Sequence, residues 1–194
     1  MKKILIYNII FVLLICISLP NFARADDSYK KHPGYVEFGN LEGFMDAEET
    51  VEVFIRGPLL KFVSKATQGE DPELSRLLSD LVVIKVNVFS TDDKEKGQVL
   101  ELIANIAKDL KKKNWETMVK VKEKGERVEI FTLFDNNDEM QGLTIMVMED
   151  GVDQETVFIN IAGKIDPEQL GKLGDKFDIP ELDDVDVKKH QSKK

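Results

Sequence analysis

Apolar and polar positions along this chain fall into blocks of two periods, and each block predicts an element. From Thr50 to Arg56, Val51, Val53 and Ile55 alternate with Glu52, Phe54 and Arg56, the period of a strand. Gly57-Pro58 ends it, and Pro58 suits the first turn of a helix, where a missing N–H costs nothing. Leu59, Leu60, Phe62, Val63 and Ala66 then form a helical stripe. Asp71-Pro72 repeats the start signal as N-cap and first helical residue, ahead of Leu74, Leu77, Leu78 and Leu81. Leu81 to Phe89 reads as a buried strand, with Val82, Ile84, Val86 and Val88 on one face and Val83, Lys85, Asn87 and Phe89 on the other. Asp92 and Glu95 have capping-box spacing at the head of a helix from about Lys94 to Lys113. Val99, Leu102, Ile103, Ile106 and Leu110 share one side of it, and Lys111, Lys112 and Lys113 close it where positive charge offsets the helix dipole.

The second half is a meander. Glu116 to Glu123 and Glu126 to Phe134 flank Lys124-Gly125, a two-residue hairpin turn that sets Val121 opposite Val128 and Val119 opposite Ile130. Gly142 to Glu149 and Glu155 to Ile161 form two more strands around Asp150-Gly151. The stretch Ile165 to Leu170 predicts the opening of a last helix, with Asp166 and Gln169 in capping-box spacing. At the other end, residues 26–34 are polar and read as a flexible lead-in, Tyr35 to Phe38 as a short strand or its approach, and Gly39 to Glu49 as a loop or short helix. Residues 178–194 are charged, lack apolar periodicity and are expected to be disordered. The order β-α-α-β-α, then β-β-β-β-α, predicts a single α+β domain over 35–177. Its sheet should be mainly antiparallel, with a four-strand meander in the C-terminal half and helices packed on one face.

The first 25 residues do not belong to that domain. Met1-Lys2-Lys3, an apolar run from Ile4 to Leu19, and the small-x-small site Ala23-Arg24-Ala25 have the layout of a secretory signal peptide. The mature chain should begin near Asp26 and be periplasmic or secreted. A membrane anchor needs about 20 apolar residues; this run is shorter, contains Tyr7 and Asn8, and meets Pro20, so no integral membrane protein is expected. Lipidation at Cys16 is the less favoured alternative, because Ile15 stands where a small residue normally precedes the lipidated cysteine. Cleavage removes the only cysteine, which excludes thiol chemistry and cysteine–metal sites. It also removes three basic residues and no acids, taking the formal charge from −9 to −12. A surface this acidic repels phosphate backbones and argues against a nucleic-acid partner. A domain of this length buries about 70% of its unfolded surface and needs no disulfide.

These segments together resemble an exported bacterial family known as domain of unknown function 4252. The resemblance rests on Val51 to Phe62, on the strand Val82 to Phe89, on Trp115 followed by the meander, and on Ile159 to Leu170, and it spans roughly Tyr35 to Leu173. It implies the fold and an envelope location, often with a lipid anchor, from which Ile15 sets this chain apart. It implies no activity and no catalytic residues.

Candidate chemistry is sparse. His32 and His190 lie in the polar end segments, away from any rigid element that would hold an imidazole for catalysis or metal binding. No G-x-S-x-G, Walker lysine or G-x-G-x-x-G motif is present, and no cofactor is expected. Asp135, Asn137, Asp138 and Glu139 form the best metal candidate, a run of hard oxygen donors for Ca²⁺. Met140 stands where an EF-hand needs glycine, so a solvated hairpin connection is the preferred reading and no metal is expected.

The remaining signal is apolar. Met118, Phe131 and Leu133 lie opposite the β-branched face of the first hairpin, and Leu143 to Met148 is apolar on both faces, with Met146 and Met148 on the second. Something must cover that second face. The chain's own helices or N-terminal segment are one answer. The other makes Met118, Phe131, Leu133, Met146 and Met148 a contact surface for an envelope protein, a second copy or a lipidic ligand. The resulting expectation is an exported, non-enzymatic binding module of the cell envelope. The alternative is a carboxylate-dependent hydrolase or Ca²⁺-binding envelope enzyme.

Overall fold

The computed structural model describes residues 27–39, 41–45, 50–123, 125–149 and 155–166. The leader with Ala23, Ala25 and Cys16, residues Lys124 and Asp150-Gly151, the expected helix beyond Asp166 and the tail 178–194 lie outside them.

After a 3₁₀ turn at Asp27–Lys31, the elements run α1 (Glu42–Met45), β1 (Thr50–Arg56), α2 (Gly57–Thr67), α3 (Pro72–Asp80), β2 (Leu81–Ser90), α4 (Lys96–Lys112), β3 (Glu116–Glu123), β4 (Glu126–Phe134), β5 (Met140–Glu149) and β6 (Glu155–Ile165). The six strands form one antiparallel sheet in the order β1-β2-β6-β5-β4-β3. The α+β class, the single sheet and the C-terminal meander agree with the sequence pattern, as does the hairpin register, with Val119 opposite Ile130 and Val121 opposite Val128. Ile165 still belongs to β6 and is buried there, so no helix opens at that residue.

The local signals act where the sequence puts them. The Asp71 carboxylate accepts the Leu74 N–H at 3.1 Å, with Pro72 following at the helix start. Asp92 accepts the N–H groups of Lys94 and Glu95 at 2.8 and 2.9 Å, and Glu95 reaches back to the Asp92 N–H. At the far end of α4, Asn114 adopts a left-handed conformation (φ 63°). The Trp115 N–H then returns to the Leu110 carbonyl and the Asn114 N–H to that of Lys111, the paired bonds of a Schellman ending. Trp115 is thereby folded under α4, where both it and Leu110 join the core.

Helices cover both faces of the sheet, which corrects the expectation of one helical face. Leu60 of α2 and Leu77 of α3 pack on the face of Leu81, Ile130, Leu143 and Ile165. Val99, Ile103, Ile106 and Leu110 of α4 pack on the other, against Phe89, Phe131, Met146 and Phe158. The physical reason lies in the central strands: β4, β5 and β6 carry apolar side chains on both faces, so each face needs a cover. α4 crosses from β2 to the far edge strand β3, passing over the aromatic face as it does so.

The lead-in is also packed rather than free. Tyr29 is buried against Val83 and Ala162, and Val36 and Phe38 enter the core. Residues 35–39 follow a turn at Gly34 and join no ladder. Asn160 on β6 holds them instead: its Nδ2 donates to the Gly34 carbonyl at 2.9 Å, and its Oδ1 accepts the Val36 N–H at 3.0 Å. Gly34 is required here, since a Cβ would stand 1.9 Å from the Gln141 carbonyl oxygen.

Candidate functional site

Of the five residues offered as a contact surface, four belong to the interior. Phe131 and Met146 are each 1% exposed, and Leu133 and Met148 are also buried, all in the cluster beneath α4. Met118, 38% exposed at an irregularity in the β3–β4 register, stays at the surface. The candidate patch is therefore corrected to a core, covered by the chain's own helix and N-terminal strap. The sequence pattern measured its apolarity and could not show the cover, because α4 is distant in sequence and reaches it only by crossing the sheet.

The acidic loop after β4 is a turn built from its own carboxylate. Asp135 Oδ1 accepts the N–H groups of Asn137 and Glu139 at 2.8 and 3.0 Å, and its Oδ2 accepts from Gln141. The N–H of Glu139, then that of Asn137, holds the Asp135 carboxyl below the usual carboxylate range. Asp138 takes a left-handed conformation (φ 59°) at the tip, and Glu139 pairs with Lys164, whose pKa it raises. Asp135 and Glu139 thus face partners of their own. Among the described residues no group of three or more His, Asp or Glu is placed to hold a metal ion.

Glu129 on β4, 1% exposed, is the one acid buried among the described residues. Its Oε1 accepts from Arg127 Nε and Nη2 at 3.1 and 2.7 Å and faces Lys120 at 3.2 Å, while its Oε2 has no partner. A hydrolytic carboxylate pair needs a second acid at a set separation. Glu129 has two cations beside it instead, the arrangement of a structural ion pair.

The surface that remains is an edge. Both outer strands of the sheet have one side without a strand neighbour among the described residues. β3 carries Lys120, Lys122, Glu116 and Glu123 along its length, charges that discourage a further strand. β1 differs. Phe54 is 38% exposed on one face and Val51 37% on the other. The Phe54 ring meets Tyr29 edge-on at 5.3 Å, and the Arg56 guanidinium lies 5.2 Å from the Tyr29 ring and 5.5 Å from that of Phe54. Glu52 is exposed beside them. The sequence signal for this site was the presence of Phe54 on the polar face of an alternating strand. Its importance depends on β1 being an edge, which no local pattern states.

Among the described residues no helix is long and apolar enough to cross a membrane. A family model for Domain of unknown function (DUF4252) matches residues 44–173, well over half of the chain, and the chain belongs to that family. No curated protein and no solved structure matches it.

Proposed function

We propose that this family member is an exported, non-enzymatic binding module of the bacterial cell envelope, and that it binds through the outer edge of β1. The observation that carries the reading is the exposure of Phe54 and Val51 on the two faces of an edge strand that holds two charged residues, Glu52 and Arg56, against the four of β3. Such an edge offers main-chain N–H and C=O groups for affinity and alternating side chains for specificity, the chemistry of strand addition. The leader supports export, and among the described residues the acids Asp135 and Glu139 and the buried Glu129 already have partners of their own, which weighs against the hydrolase or Ca²⁺ enzyme reading.

The test is a photo-crosslinker placed at Phe54 or Val51 in living cells, with exposed Lys108 on α4 as the control position. Envelope-located adducts from β1 and none from Lys108 are expected. Equal labelling from both, or a chain recovered from the cytoplasm with residues 1–25 attached, overturns the reading. A melting scan in Ca²⁺ against chelator checks the rival; no shift is expected.

A further inference from the structure

We propose that the occupant of the β1 edge is β1 of a second copy of this chain, paired antiparallel about a two-fold axis that passes beside Phe54. This rests on the edge-binding reading above and names its partner. A two-fold axis perpendicular to the sheet keeps each face continuous, so a residue can meet only residues of its own face across the new junction. On β1 those sets are Glu52, Phe54 and Arg56 on one face and Val51, Val53 and Ile55 on the other.

An axis on Val51 or Ile55 pairs only three residues of β1 before running past Thr50 or into α2, which leaves three registers for the strand. Centring the axis on Glu52 sets two exposed carboxylates against each other. Centring it on Val53 sets Glu52 against Phe54 twice and leaves Arg56 opposite Thr50. Centring it on Phe54 pairs the two Phe54 rings, places Glu52 opposite Arg56 of the second copy twice, and puts Val53 opposite Ile55 twice. Only this register matches aromatic with aromatic, acid with base and β-branched with β-branched, each a favourable cross-strand pair. Arg56 already lies against the rings of Tyr29 and Phe54. Its planar fork has five N–H donors, enough to keep the contacts it already makes and take a carboxylate besides. The same register brings the start of α2 in the second copy, at Gly57, level with Val51, the exposed apolar residue at the other end of the strand. β3 offers no such self-match, since Lys120 and Lys122 share one face on which β3 itself carries no acid, and the strand carries no aromatic ring.

The experiment uses the protein as purified from the cell. Sedimentation should show a concentration-dependent dimer. Glu52→Arg should weaken it about ten-fold or more by opposing two like-charged pairs, with the melting temperature unchanged at dilutions where both chains are monomeric, because Glu52 is exposed. Adding Arg56→Glu should restore the dimer. In a Cys16→Ser background, Phe54→Cys should trap a covalent dimer under mild oxidation, and Val53→Cys should trap far less. A monomer at every concentration, a dimer indifferent to Glu52→Arg, or preferential trapping at position 53 overturns the proposal. If Arg56→Glu unfolds the chain by loss of its packing on Tyr29, the Glu52→Arg and cysteine measurements still decide. A monomer that is nevertheless crosslinked at Phe54 to a different envelope protein overturns the dimer and leaves the edge-binding reading standing. A monomer without adducts removes both.

Discussion

The two faces of the sheet are built from different residues and are buried to different depths. One face is aromatic and sulfur-rich: Phe89, Phe131, Met146 and Phe158 lie almost wholly buried beneath α4 and the N-terminal strap. The other is β-branched. Leu143, Ile130 and Val128 are buried there, but Val53, Val86, Val88, Val157 and Ile159 are only half-buried. The difference teaches that cover, more than apolarity itself, sets depth: α4 and the N-terminal strap lie over the first face, α2 and α3 over the second. Large flexible side chains fill the irregular gap under a helix that crosses strands, while valine and isoleucine suit the pleated surface itself.

The contrast is broken most directly at Phe158, whose ring lies between those of Phe38 and Phe89, at 5.2 and 6.0 Å. Phe158→Ala should cost about 3–5 kcal/mol of unfolding free energy in denaturant titration; a loss near that of a surface substitution would mean the aromatic face is not the main core.

The next effect tests the strap that covers this face. Asn160→Ala removes the bonds to Gly34 and Val36 together. A loss of about 2–3 kcal/mol is expected from the buried groups left unpaired, with hydrogen exchange rising first at Val36. Uniform exchange across the sheet would show the strap to be incidental. Gly34→Ala attacks the same place by crowding, because the added Cβ meets the Gln141 carbonyl. It should cost about 1–3 kcal/mol, and an unchanged melting temperature would contradict the close approach of strap and β5.

Val157 is the neighbour of Phe158 and points to the opposite face. Val157→Ala should cost only about 1 kcal/mol, in keeping with a half-buried side chain. Equal losses at 157 and 158 would erase the distinction between the faces.

The smallest expected effect is on pH. Burial lowers the pKa of His32 from its ordinary 6.5, and the neutral ring accepts the Gly34 N–H through Nδ1. Burial alone would raise Glu37, but the Tyr35 hydroxyl and then Lys85 outweigh it and hold the carboxyl below its ordinary 4.5. Both contributions are therefore complete above the unfolded values and are lost as pH falls through the lowered folded ones. The strap should weaken in acid in two stages, His32 before Glu37. The melting-temperature profile of His32→Asn should lack the upper stage; a profile parallel to that of the unsubstituted chain would remove His32 from the account.

Much of this molecule was legible residue by residue. The caps at Asp71 and Asp92, the strand at Thr50–Arg56 and the hairpin register at Val119 and Val121 depend on neighbours within a few positions, and periodicity records such neighbours well. The candidate patch at Phe131, Met146 and Met148 shows where that stops. Its apolar character was plain, but whether it faces α4 or solvent depends on a helix that leaves β2 and crosses three strands to reach β3. Tyr29 misled in the opposite sense: it sits in a polar stretch that reads as free chain, yet is buried by contacts with residues 54 and 162, far along the sequence.

The amino-acid sequence alone determined most of the elements, the acidic net charge, the placing of the only cysteine within the first 25 residues, and the absence of the common catalytic motifs. These follow from residue types and short spacings. Only the tertiary structure decided that two faces need two covers, that Asn160 pins the strap, and that β1 and β3 are the two edges of the sheet. Strand order and burial are set by contacts between distant segments, and their energies are shared among residues that no local window contains.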